Sequence, residues 1–153
     1  MPSDQRIFRS SRQNDQSAVS SIFEQANLTV PIQENPESSA PPQMGSTHLY
    51  VCEFHRRAVG AIHWRYLGSE AEILGLAVAR KYRRAGHGKF LLANFLRVAI
   101  QHSVNKFFLE VRESNSPAIA LYRQFGFSIS GRRPNYYRDP IESALLLDLK
   151  ITG

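Results

Sequence analysis

A single cysteine, Cys52, among 153 residues excludes an intramolecular disulfide framework. The five histidines, at positions 48, 55, 63, 87 and 102, fall into no Cys/His spacing that would build a zinc site, so no metal is expected. No run of about 18 apolar residues is present to span a bilayer. The opening stretch MPSDQRIFRSSRQ also lacks the apolar core of a secretory leader. A reducing, cytoplasmic setting without a membrane partner is the expectation. The signature of disorder, low hydrophobicity with high charge, is missing too, since 42% of the residues are apolar and 21% charged. A chain of this length fits one domain, 1–153, and can bury about two-thirds of the surface its unfolded form exposes.

Positive charge is in excess. Nineteen basic residues stand against 13 acidic ones, a net +6, which raises the local concentration of anionic partners without dictating a fold. Nucleic acid, the ribosome and a phosphorylated cofactor all fit.

Along the chain, QRIFRSS alternates as a short strand. NDQSAVSSIFEQAN then begins with a helix-capping Asn14 or Asp15 and sets Val19, Ile22, Phe23 and Ala26 on one helical face. From 31 to 47, PIQENPESSAPPQMGST carries four prolines and should be a loop. HLYVCEF, AVGAIHWRYL and AEILGLAVA read as an antiparallel meander, with Arg56 and Arg57 at its first turn. Apolar positions 90, 91, 92, 95, 96, 98, 99 and 100 in GHGKFLLANFLRVAIQHS suit a largely buried helix. KFFLEV follows by a crossover and should lie parallel to AEILGLAVA. SPAIALYRQFGF reads as a helix capped by Ser116, with Pro117 in its first turn and Gly126 past its end. FSISGRR and SALLLDLK complete one α/β or α+β domain on a mixed sheet.

Three constellations could carry chemistry. RRAGHGK, residues 83–89, lies between a strand and a helix. Gly86 and Gly88 allow a tight turn, while open N–H groups at the helix start and the charges of Arg83, Arg84 and Lys89 favour a diphosphate. The nucleoside-triphosphate loop and the dinucleotide fingerprint both fail to match, and a solvated basic turn remains the alternative. Glu110 alternates to the opposite strand face from Phe107, Leu109 and Val111, which suits an acid–base group or simply a half-wet strand. Tyr122, on the helix opened by Pro117, reads as core from its spacing alone. Cys52 reads as a small buried hydrophobe, Trp64 as packing and His63 as surface.

Taken in order, ILGLAVARKYRRAGHGKFLL, then FFLEVRESNSPAIALYRQFGF, then RRPNYY resembles the GNAT acetyltransferase superfamily, in particular its ribosomal-protein alanine N-acetyltransferases (RimI-like), over residues 60–149. The resemblance implies a central mixed, mostly antiparallel sheet flanked by helices, and acetyl-CoA as co-substrate without a metal. It implies that main-chain groups of Leu76, Ala77 and Val78 pair with the pantetheine arm. Arg83, Arg84, Ala85, Gly86, His87, Gly88 and Lys89 would cradle the pyrophosphate, and Asn115 would hold the cofactor further along. Glu110 corresponds to the general base, and Tyr122, also against the cofactor, to the acid that protonates the departing thiolate. Asn135, Tyr136 and Tyr137 would line the acceptor entrance. The implied acceptor is a protein N-terminus, a ribosomal-protein alanine, with no direct nucleic-acid contact; nothing in the sequence speaks to oligomeric state. Relatives in this subgroup carry a Pro-Trp element after the first helix, whereas NLTVPIQENPESSAPPQ holds no tryptophan. A small amine or a lysine side chain is the alternative acceptor. A nucleic-acid or ribosome-binding module using RKYRR with Arg132 and Arg133, or an acetyl-CoA sensor without turnover, are the alternatives from other classes.

Overall fold

The computed structural model describes residues 5–31 and 42–152. Strand β1 (Arg6–Ser10) leads through a 3-10 turn at Gln13–Asp15 into helix α1 (Gln16–Gln25). The meander follows as β2 (Thr47–Phe54), β3 (Arg57–Leu67) and β4 (Glu70–Val78), then a second 3-10 turn at Arg80–Tyr82 and helix α2 (His87–Gln101). Strand β5 (Lys106–Arg112), helix α3 (Ser116–Gln124), β6 (Ser128–Tyr137) and β7 (Glu142–Lys150) complete the chain. Seven strands form one sheet in the order β1-β2-β3-β4-β5-β7-β6, antiparallel everywhere except between β4 and β5. The expected mixed, mostly antiparallel sheet flanked by helices is what forms, including the parallel crossover. Of the 31–47 loop, residues 32–41 lie outside the described residues. No helix among the described residues is long and apolar enough to cross a membrane.

The sheet is covered on both faces because its strands alternate. Val51 of β2 and Ala61 of β3 pack with Val19, Ile22 and Phe23 of α1, while the intervening Cys52 and Ile62 join Leu91, Leu92 and Phe95 of α2. Strand β4 changes sides midway. Register with β3 jumps from Trp64↔Ile73 to His63↔Gly75, leaving Leu74 as an extra residue, a β-bulge. Ala71 and Ile73 therefore face α2, while Gly75 and Ala77 face α1. A Cβ at Gly75 would lie 2.7 Å from a ring carbon of Phe23, so a glycine is what lets α1 seat on the bulged strand.

Several local expectations are corrected. Asp15 stands at the N-cap position of α1 but makes no side-chain capping bond to it: its carboxylate accepts the Arg12 N–H at 2.7 Å and pairs with Arg9 at 2.7 Å, tying down the chain before the helix. Asn14 lies inside the 3-10 turn. Helix α3 is capped by Asn115 rather than Ser116, through an Oδ1 that accepts the Ala118 N–H at 3.2 Å. The β2–β3 turn is His55–Arg56, both with left-handed φ (51° and 63°), and Arg57 already belongs to β3. His63 is half-buried rather than at the surface, and burial pushes its imidazole down to about 4. Cys52 is fully buried as expected, its thiol pushed up to about 11 by burial.

Candidate active site

Strands β4 and β5 pair over only four positions, Glu70↔Lys106 to Ile73↔Leu109. Beyond the bulge at Leu74, β4 follows β3 and β5 follows β7, so a gap opens between Leu74–Val78 and Glu110–Arg112. The Ala79 N–H donates to Val59 O on the β3 side at 2.8 Å. Alternation then directs the main-chain groups of Ala77 to β3 and those of Leu76 and Val78 into the gap. One of these is already engaged, since Arg83 Nε donates to Val78 O at 2.9 Å. The gap thus exposes strand-like donors and acceptors, suited to an extended ligand with amide groups.

At the end of β4 the chain enters the basic turn. Arg84 and Gly86 adopt left-handed φ of 64° and 83°, and Gly86 caps α2. The Phe90 N–H is satisfied by Gly86 O at 3.0 Å, whereas the N–H groups of His87, Gly88 and Lys89 have no carbonyl of their own helix to bond. With Arg83, Arg84 and Lys89 exposed around them, these groups and the helix dipole would favour an anion. A diphosphate fits that chemistry. Ala85 is exposed, and Gly88 packs beside Leu121 of α3, 3.4 Å from where a Cβ would stand. The His87 ring points inward, 2% exposed, and only its main-chain N–H is offered to the anion. Burial and the nearby Arg6 charge hold this imidazole below its usual value.

Glu110 and Tyr122 lie on opposite faces of the sheet. In β5, Phe107, Leu109 and Val111 are buried under α2, and Glu110 alternates to the other side, half-buried. There Arg133 Nε lies 3.2 Å from Glu110 Oε1. The Glu110 carboxylate raises the Tyr136 phenol, and burial with the charge of Glu110 pushes Tyr137 up to about 12. Tyr122 is 5% exposed and meets the Phe127 ring edge-on at 5.3 Å; burial pushes its phenol well up, so it carries its proton throughout the neutral range.

Asn135, Tyr136 and Tyr137 do not follow β6 but end it. Pairing passes from Arg133↔Ala144 to Tyr137↔Glu142, so Pro134, Asn135 and Tyr136 bulge outward, with Asn135 at φ 54°. Tyr136 is 47% exposed beneath the Arg133 guanidinium, and Arg112 stacks on Tyr137 at 4.3 Å. Glu110, Tyr136 and Tyr137 therefore converge, while Asn115 stands at the head of α3. Sequence reasoning missed two participants. The sequence offers Arg133 only as a phosphate contact, and its proximity to Glu110 requires knowing that β7 lies between β5 and β6. Arg6 is 81 residues from His87, to which it bonds, and left no local signal. Among the described residues no cluster of three His, Cys, Asp or Glu side chains could hold a metal ion.

A splayed parallel pair, a basic turn heading the crossover helix, and a carboxylate and a buried phenol on opposite faces of the sheet make up the candidate site. The chain belongs to the Acetyltransferase (GNAT) family, which it matches over residues 18–127. Among curated relatives, the ribosomal protein bS18-alanine N-acetyltransferase of Escherichia coli (strain K12) is 39% identical over 85 residues, 54% of this chain and 57% of the relative. A Bacillus subtilis (strain 168) protein assigned provisionally to the same activity is 36% identical over 100 residues, 65% of this chain and 66% of its own. The chain thus spans less than two-thirds of the length of these relatives. The crystal structure of the ribosomal-protein-S18-alanine N-acetyltransferase from Escherichia coli superposes with a TM-score of 0.78 at 26% identity, covering 97% of this chain and 96% of that one.

Proposed function

We propose that this protein transfers the acetyl group of acetyl-CoA to a primary amine, and that the acceptor is the α-amine of an N-terminal alanine on a ribosomal protein in the cytoplasm. What supports this reading is the parting of β4 from β5 beyond Ile73, with the half-buried Glu110 on one bordering strand and the basic turn following the other. The names of the curated relatives support the choice of acceptor.

Bound there, acetyl-CoA supplies an activated thioester. Leu76 and Val78 offer main-chain groups to its amide-bearing arm, and the turn of residues 83–89 its N–H groups and charges to the diphosphate. Asn115 adds its position at the head of α3. On the acceptor side, Tyr136 and Tyr137 frame the approach and Asn135 borders it. A free α-amine titrates near 8 and a lysine near 10.4, so the α-amine loses its proton more readily at neutral pH. Glu110 accepts that proton, directly or through water, and the Tyr122 phenol faces the departing sulfur. Arg133 must give way for Glu110 to reach an incoming ammonium group, and its exposed position allows it.

Mass spectrometry of two peptides incubated with acetyl-CoA tests the reading: one with a free N-terminal alanine, the other N-blocked with one internal lysine. Acetylation of the free terminus alone supports it. Modification of the lysine alone, or of neither peptide while spermidine is acetylated, refutes the N-terminal acceptor.

A further inference from the structure

The geometry points to Arg6 as a positioning residue for the anion-binding turn: from β1 it reaches the first turn of α2, holds the Ala85 carbonyl and the His87 ring, and so fixes the N–H groups at the head of α2 for a diphosphate. This rests on the reading of residues 84–89 as the diphosphate site.

Arg6 Nε donates to His87 Nδ1 at 3.0 Å, and its Nη2 donates to the Ala85 carbonyl oxygen. The guanidinium carbon stands 6.0 Å from the centre of the Phe90 ring, and a Cβ at Gly86 would lie 3.5 Å from Nη2. One side chain thus bonds to residues 85 and 87 and lies close to 86 and 90, where the loop passes into the helix. Its two acceptors are neutral, so neither cancels its charge. His87 is itself wedged, with the Phe54 ring at 4.9 Å, the Tyr82 ring at 6.3 Å and Cys52 Sγ 3.8 Å from Nδ1. Since Nδ1 accepts from Arg6, the ring is neutral with its proton on Nε2.

The turn needs such a clamp. Arg84 holds a left-handed φ without being glycine, and a glycine follows at 86, so its backbone has alternatives close in energy. Drawing the Ala85 carbonyl toward Arg6 keeps a negative oxygen away from the anion, and anchoring His87 fixes the helix end. Ordering a site before the ligand arrives lowers the cost of binding and leaves the chemical step alone. A lysine lacks the rigid fork and satisfies one acceptor at a time.

The test compares acetyl-CoA with S-acetylpantetheine, which carries the same thioester arm without the diphosphate, in steady-state kinetics of the full chain. In Arg6→Ala the KM for acetyl-CoA is expected to rise roughly ten- to hundredfold, the loss of charge-assisted hydrogen bonds, with kcat within about twofold. KM for S-acetylpantetheine should stay near the wild-type value, and Arg6→Lys should fall between. Equal losses on both donors, or a fall in kcat at unchanged KM, overturn the proposal. If Arg6→Ala does not fold, Arg6→Lys carries the same comparison. Lys89→Ala separates the two levels. If it leaves the preference for acetyl-CoA over S-acetylpantetheine intact, the turn is not the diphosphate site and both readings fall. If it weakens that preference and neither Arg6 variant does, only the role of Arg6 falls.

Discussion

Replacing Tyr122 by phenylalanine removes one hydroxyl from a side chain that is 5% exposed. The ring that packs edge-on against Phe127 at 5.3 Å is retained, so the thermal midpoint should move little. The effect on turnover follows from acidity. A thiolate resembling that of cysteine has a pKa of about 8.5 and a phenol about 10, so complete proton transfer is uphill by about 2 kcal/mol before burial is considered. Burial raises the Tyr122 phenol further. The hydroxyl should therefore act as a hydrogen-bond donor to sulfur as charge develops, a charge-assisted bond of about 1.5–3 kcal/mol. Tyr122→Phe should accordingly lower kcat roughly 10- to 150-fold, with the dissociation constant of acetyl-CoA little changed. The assay is stopped-flow or steady-state release of CoA thiol across pH 6–10, paired with calorimetric binding. The wild-type kcat profile should show no alkaline limb from Tyr122 below about pH 10. Such a limb between pH 8 and 9 that disappears in Tyr122→Phe would refute the argument from burial. Unchanged kcat would remove Tyr122 from the chemistry.

Glu110→Gln should lower turnover about 10²- to 10⁴-fold, and an unaltered rate would exclude Glu110 as the base. Gly75→Ala brings a methyl to 2.7 Å from Phe23 and should cost about 1–3 kcal/mol in a denaturant melt; a wild-type midpoint would contradict the close seating of α1 on β4. His63, pushed down to about 4 from an ordinary 6.5, is held neutral by the fold while the unfolded chain binds its proton. Between those values the unfolded state carries more protons, so stability falls as pH drops from 6.5 toward 4, by at most about 1.4 kcal/mol per pH unit. His63→Gln should flatten that part of the curve, and an identical slope in the variant would reject the assignment.

Much of this architecture could be read locally. The alternation of KFFLEV set Glu110 apart from Phe107, Leu109 and Val111, and the apolar spacing of α2 placed its buried face, because both are short-range patterns tied to strand and helix periods. The glycines and arginines of residues 83–89 likewise marked a tight basic turn ahead of α2. What escaped depends on partners distant in sequence. The reversal of β4 at Leu74 is invisible in an unbroken alternation, since it arises from the register with β3. The ring of His87 turned inward because Arg6, Phe54 and Cys52 meet it there, although its neighbours in sequence belong to an exposed loop. Caps also shifted by one residue: Asn115 and Ser116 are both competent, and backbone geometry chose between them. The bulge at Pro134–Tyr136 is a consequence of fitting β6 to β7, and it turned an expected post-strand segment into the strand's own end.

The gap between β4 and β5 makes this molecule a sheet with an unfinished seam. Its two halves share four residue pairs and the helices that bridge them, while Leu76 and Val78 turn main-chain groups, one of them held by Arg83, toward what is in effect an edge inside the fold. Such edges are where foreign strands add and aggregation begins. A ligand that pairs along the seam therefore also shields it, adding about 2.7 kcal/mol of stability at a hundredfold excess over its dissociation constant. The supply of such a ligand would then bear on the stability of the fold as well as on its rate of turnover.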